Sequence, residues 1–179
     1  MGGLIAIGRL RVSSEFDDEF YLGLPKSLAP WDAANHVAQF LSAWLEETLK
    51  QRQFSVDSLN YVINELMENA IKYAADGRIE LAVCVANDAL LVSLTHPLLE
   101  SRAKIYQALA QQVFEADPEL LFAEIIERNT DADAGEQTGA GLGLVSLRQN
   151  YQAGLAFGFQ RQDSSEIVQT TTQVSLPWQ

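Results

Sequence analysis

Basic residues are scarce in this chain. Twelve Lys and Arg stand against 24 Asp and Glu, a formal charge of −12 over 179 residues. Such a surface repels phosphate backbones and anionic lipids, so nucleic-acid and membrane-surface functions are disfavoured and the charge is left to serve protein partners. Cysteine is nearly absent. Cys84 is the single one, so no internal disulfide can form, and no His or second Cys lies nearby in the sequence. It sits in the apolar run 81–86 and is expected to be a small buried hydrophobe. Long hydrophobic runs are missing too: none approaches the ~20 residues needed to span a bilayer. The apolar start, residues 1–7, has no preceding positive charge and no small-residue cleavage site, so a cytoplasmic location is expected. Internal repeats and low-complexity stretches are also lacking.

What is present is a 47% hydrophobic composition, enough for one domain with a proper core. Residues 4–13 and 19–25 read as strands with Asp17-Asp18 as the turn between them, an N-terminal β-hairpin extension over 1–30. Pro30-Trp31-Asp32 opens a helix to about residue 52, with Val37, Phe40, Leu41, Trp44 and Leu45 at helical spacing. Ser55 is a candidate N-cap for a second helix that runs to about residue 74, with Leu59, Val62, Ile63, Leu66 and Ala70 as its buried stripe. Strands at 78–86 and 89–95 are joined by the tight turn Asn87-Asp88. Helical periodicity returns over 99–128, broken near Asp117-Pro118. A polar, glycine-containing loop fills 129–141, a short helix follows at 142–151, and strands at 154–161 and 166–176 finish the chain. The order predicts an α+β fold, a mixed sheet with helices on one face, and residues 31–179 as the main domain. Trp31, Trp44 and Trp178 read as packing residues, and His36 as a surface histidine.

Two segments carry chemistry. In the second helix Glu65, Asn69 and Lys72 fall at i, i+4 and i+7 and point the same way, on a stripe separate from the apolar one. An acid, an amide and an amine in line suit phosphoryl transfer: the acid orients a nucleophile, the amide oxygen ligates Mg²⁺ and the amine meets phosphate. The same residues also suit an ordinary solvated face with an ion pair. The second segment, Thr138-Gly139-Ala140-Gly141-Leu142-Gly143-Leu144, sets glycines at alternate positions before an apolar helix. It is either an anion cradle of backbone amides or a flexible hinge. Asp131, Asp133 and Glu136 crowd the loop before it, and Arg148 is a cation just beyond it.

Together these segments resemble the GHKL ATPases. Glu65-x-x-x-Asn69-Ala70-x-Lys72-Tyr73 looks like their N box, and Gly139-x-Gly141-Leu142-Gly143-Leu144 like their second glycine box. The closing strand, from Thr170 to Leu176-Pro177, is similar to theirs. The resemblance implies a two-layer α/β sandwich that binds ATP and Mg²⁺. Glu65 matches the general base, Asn69 the Mg²⁺ ligand, and Gly139, Gly141 and Gly143 the phosphate loop, with Thr138 and Leu142 in the same nucleotide-contacting segment. Lys72 becomes a phosphate contact, and residues 97–138 a helical lid. One family motif is missing: His96 stands where Asp-x-Gly-x-Gly should place its adenine-reading aspartate, and Pro97 follows it. His96 is therefore either a one-hydrogen-bond substitute or a strand-end residue with no ligand role.

Residues 91–160 also resemble the bacterial SiaB-type switch kinases, which lack the same aspartate. That resemblance implies a serine/threonine kinase acting on a small STAS-domain partner. The alternative is a degenerate, anti-sigma-like module that sequesters a sigma factor or STAS-type protein without hydrolysing ATP. Family analogy adds a homodimer as a candidate state. Histidine-kinase activity is not expected, since no dimerisation helix with a phospho-acceptor histidine precedes the domain.

Overall fold

The computed structural model describes residues 3–11, 18–30, 32–49, 54–131, 141–161 and 165–178. Its strands are β1 (Leu4–Ile7), β2 (Asp18–Pro25), β3 (Arg78–Val85), β4 (Ala89–Leu99), β5 (Gly154–Arg161) and β6 (Ile167–Pro177). Its helices are α1 (Ala33–Thr48), α2 (Val56–Tyr73), α3 (Glu100–Glu115), α4 (Pro118–Asp131) and α5 (Leu142–Tyr151). The strands form one sheet in the order β1-β5-β6-β4-β3-β2. The α+β class and the two-layer arrangement are as expected from sequence. The sheet itself is antiparallel in every ladder rather than mixed. The helix count explains this. The pair α1–α2 returns the chain to the end of the sheet it left, so β3 pairs antiparallel with β2. The three helices α3–α5 make β5 run like β4, but β6 lies between them.

The N-terminal hairpin does not exist. β1 pairs with β5, from Leu4↔Gln160 to Ile7↔Phe157, and β2 pairs with β3, from Asp18↔Val85 to Pro25↔Arg78. The two strands are opposite edges of the sheet, so β1 and β2 are part of the main sheet rather than an extension to it. Period-two alternation marks a strand but not its partner, and the chain between β1 and β2 is longer than hairpin loops usually are. After β1 the described chain, to Arg11, reaches the face of the sheet opposite the helices. There the Arg11 N–H donates to Gln173 Oε1 (2.8 Å), while Gln173 Nε2 donates to the Arg11 carbonyl (3.1 Å) and to Ser93 Oγ (2.9 Å).

The core lies on the other face. Ile79, Leu81, Val83 and Val85 alternate inward from β3, as do Leu90, Val92 and Leu94 from β4 and Leu155, Phe157 and Phe159 from β5. They meet Leu59, Val62, Ile63, Leu66 and Ala70, the stripe read from the α2 periodicity. Each such aliphatic side chain, fully buried, contributes about 1.5–3 kcal/mol. Ser55 caps α2 as expected, its Oγ accepting from the Ser58 N–H at 3.1 Å. On α1 the reading fails at Phe40, which is exposed and packs only its ring against Phe20, 6.0 Å between centroids. Residues 50–53, where α1 was expected to end, lie outside the described residues, as does Trp31. Trp44 stacks near Phe20 and Trp178 donates to the Ala86 carbonyl, so both are packing residues. Cys84 is buried on the face away from the helices, and desolvation followed by the nearby Glu19 pushes its thiol up to about 12. Among the described residues no helix is long and apolar enough to cross a membrane.

Candidate functional site

α2 presents Glu65, Asn69 and Lys72 on the flank of its buried stripe. Across from them the chain enters α5 through Gly141, whose φ of 94° lies in the left-handed region. That conformation favours glycine and turns the chain sharply into the helix. The N-cap residue Gly141 has no side chain with which to cap α5, and among the described residues no cap bond to its first-turn amides is made. Between α2 and this turn lies a cavity of about 250 Å³. Glu65, Asn69, Lys72, His96, Gly141 and Gly143 all line it. The two segments singled out in the sequence, nearly seventy residues apart, thus share one cavity.

Gly143 is pressed against the acid: a Cβ there would collide with the Glu65 carboxylate. α3 forms the roof with Arg102, Ile105, Tyr106 and Leu109. The half-buried Tyr106 fixes that roof. Its hydroxyl meets Thr172 Oγ1 at 2.5 Å and its ring lies edge-on to Phe157 and Phe159. Leu109 reaches so close to the turn that a Cβ on Gly141 would lie 2.8 Å from its Cδ1. The cavity is therefore smaller than the roughly 300–1,000 Å³ usual for small-molecule sites.

The polar groups are tuned by their surroundings. Glu65 is half-buried, and desolvation raises its carboxyl pKa, with Glu68 adding to the rise; a hydrogen bond from Tyr61 opposes it. Tyr61 stacks on Tyr151 with centroids 5.1 Å apart. It was missed in the sequence although it precedes Glu65 by one helical turn, the spacing that should have suggested it. Asn69 Nδ2 donates to the Glu65 carbonyl at 2.7 Å. Its amide nitrogen is thereby committed, and its oxygen is the atom it can offer a ligand or cation.

His96 is buried on the inner face of β4, which runs on to Leu99 instead of ending at Thr95. Pro97 is tolerated there because the β3–β4 ladder stops at Glu80↔Thr95, so no rung needs the missing donor, and the Pro97 carbonyl accepts from the Ala75 N–H at 2.8 Å. Thr170 Oγ1 donates to the His96 carbonyl (2.9 Å) and lies 3.4 Å from Nε2, while Nδ1 is buried without a partner. Desolvation, with a smaller contribution from Lys26, depresses the imidazole pKa to about 4.

Other expectations are redistributed. Leu142 is half-buried against the hydrophobic core and is not part of the cavity lining. Arg148 is also outside the cavity; its guanidinium donates to the Val113 and Ala116 carbonyls and caps the end of α3. Thr138, Gly139, Asp133 and Glu136 lie outside the described residues, as does the side chain of Asp131. The sequence reading also missed Arg102 and Tyr106, which reach the cavity from α3 and carry no motif, and gave no site role to Thr172 of the closing strand, which reaches it from β6. Among the described residues no cluster of three or more His, Cys, Asp or Glu could cage a metal. A cation here would need a single protein oxygen such as that of Asn69 and would share its remaining positions with water and ligand. That is the habit of Mg²⁺ rather than of a structural metal.

No family model matches the chain, and no curated protein matches its sequence. Among solved structures, the chain is similar to one chain of the crystal structure of the SiaB–SiaC complex from Pseudomonas aeruginosa, with a TM-score of 0.67 at 15% identity, over 90% of this chain and 91% of that one. At such identity the likeness is one of fold, and it extends over nearly the whole two-layer arrangement described above.

Proposed function

We propose that this chain is a partner-switching regulator of the GHKL type, which binds Mg·ATP in the cavity between α2 and α5 and transfers phosphate to a serine or threonine of a STAS-type protein partner. The single observation that carries the reading is that Glu65 and Asn69 share one cavity with the uncapped glycine turn of α5. The fold likeness to a chain of a two-protein complex supports a protein partner.

The residues fit the group. Asn69 would hold the magnesium through its amide oxygen, and the Gly141–Gly143 turn would receive phosphate on its backbone amides. Bound Mg·ATP would supply the electrophilic phosphoryl group. Glu65 orients and deprotonates the incoming hydroxyl, and the pressure of burial keeps its carboxyl basic enough to accept that proton. Gly143 leaves the space in which this carboxylate sits.

A second reading has its own observation. The small cavity, with Leu109 against Gly141 and a histidine in the adenine-reading place, also suits an anti-sigma-like module that holds its partner without spending ATP. Titration with Mg·ATP followed by thermal or chemical unfolding separates the two. At about 100 times the dissociation constant, ligand adds ~2.7 kcal/mol of stability. Asn69→Ala is expected to remove most of that gain, and Glu65→Ala to retain it while losing turnover. Identical responses of wild type and Asn69→Ala would end the nucleotide reading.

A further inference from the structure

We propose that Arg102 joins Lys72 in a cationic clamp at the cavity, built to hold the phosphates of a polyphosphate ligand and to tie α3 to α2. The proposal deepens the nucleotide reading and rests on it only for the source of the polyphosphate. Both side chains line the cavity, one from each element. Lys72 Nζ lies 5.0 Å from the centroid of the Tyr73 ring and Arg102 Cζ lies 5.6 Å from the same centroid. Each cation–π contact biases the side chain toward the ring.

Neither cation of the pair is engaged by a carboxylate, as several other basic side chains are, or by backbone carbonyls, as Lys26 and Arg148 are. The protein has twice as many acids as bases. Arg11, Lys104 and Arg161 each hold a carboxylate within 3.0 Å. Among the described residues neither Lys72 nor Arg102 has one, although Glu68 stands one turn before Lys72, where helical ion pairs form most easily. Two like charges lining one cavity favour an anion bound within it. The lining of the cavity agrees. Two basic side chains, Lys72 and Arg102, line it against one acidic side chain, Glu65. Arginine adds what lysine cannot, a planar fork that takes two phosphate oxygens at once.

Calorimetric titration of the full chain with Mg·ATP and, separately, with Mg·pyrophosphate tests the clamp. The wild type is expected to bind both. Arg102→Gln should weaken both about tenfold, and Arg102→Lys should recover only part of the loss, because it restores the charge without the fork. Arg102 is exposed, so these variants are expected to fold. If pyrophosphate binds and depends on Arg102 while ATP does not bind, the clamp stands and the nucleotide reading falls. If Arg102→Gln binds Mg·ATP as tightly as wild type, the nucleotide reading stands and the clamp falls. If the wild type binds neither ligand, the clamp is overturned.

Discussion

The two faces of the sheet treat polar groups in opposite ways. On the open face Gln173 is buried, yet its amide is engaged at both ends by Arg11 and Ser93, and Arg11 is tied in turn to Asp88 at 2.8 Å. On the helix-covered face the polar groups around the cavity are left with capacity to spare. His96 Nδ1 has no partner, the Asn69 amide turns only to its own helix, and the start of α5 has no capping side chain. Buried polar groups are normally satisfied, because an unmade bond costs about 1–3 kcal/mol. A network that closes on itself is therefore structure, and one left open beside a cavity is a place for something else to bind.

The sharpest way to break this contrast is acid. His96 has a folded-state pKa of about 4, against about 6.5 when unfolded. Above pH 6.5 the ring is neutral in both states and contributes nothing to pH dependence. As pH falls from 6.5 toward 4, the unfolded chain takes up a proton that the folded chain refuses, so stability is lost; below about 4 the penalty levels off. The full loss is on the order of 3 kcal/mol. Urea unfolding from pH 7 to pH 4 should show it in wild type and not in His96→Leu, with the carboxylates common to both. Equal slopes would mean that His96 is better solvated or better partnered than its surroundings indicate.

A smaller effect tests the closed face. Gln173→Ala removes three hydrogen bonds, two to the Arg11 backbone and one to the Ser93 hydroxyl, and should cost about 2 kcal/mol. It should leave any response to Mg·ATP unchanged, since Gln173 is on the far side of the sheet. Unfolding with and without nucleotide reads both quantities, and a change in the nucleotide response would erase the distinction between the faces.

How much of this was legible in the sequence follows the range of the interactions. α2 could be read almost residue by residue, because its cap, its stripe and the alignment of Glu65, Asn69 and Lys72 all follow from local geometry. α5 was placed from Leu142 to Tyr151 because glycines mark its start. The edges of the sheet were not legible. Nothing local distinguishes a strand that will pair with its neighbour from one that will pair with β5, 150 residues away. The continuation of β4 through Pro97 was hidden for a related reason: proline looks like a strand end until it is known that the β3–β4 ladder stops at Glu80↔Thr95. Arg102 and Tyr106 were invisible because they reach the site from a helix with no motif, and only packing brings α3 over the cavity.

The smallest expected effect is the most telling. Asn69→Ala removes a side chain whose one hydrogen bond goes to Glu65 O, a carbonyl inside α2 already placed to accept from the helix ladder. It also replaces a poor helix former with the best one, a gain of roughly 0.6 kcal/mol. Without ligand, the variant should match wild type within about 0.5 kcal/mol or be slightly more stable. Denaturant unfolding measures this, and a loss above about 2 kcal/mol would show that Asn69 belongs to the structural network after all. Read beside the larger cost expected of Gln173→Ala, a neutral result assigns the two amides to different tasks: one holds the chain after β1 to the sheet, and the other stands at a cavity at no benefit to the fold.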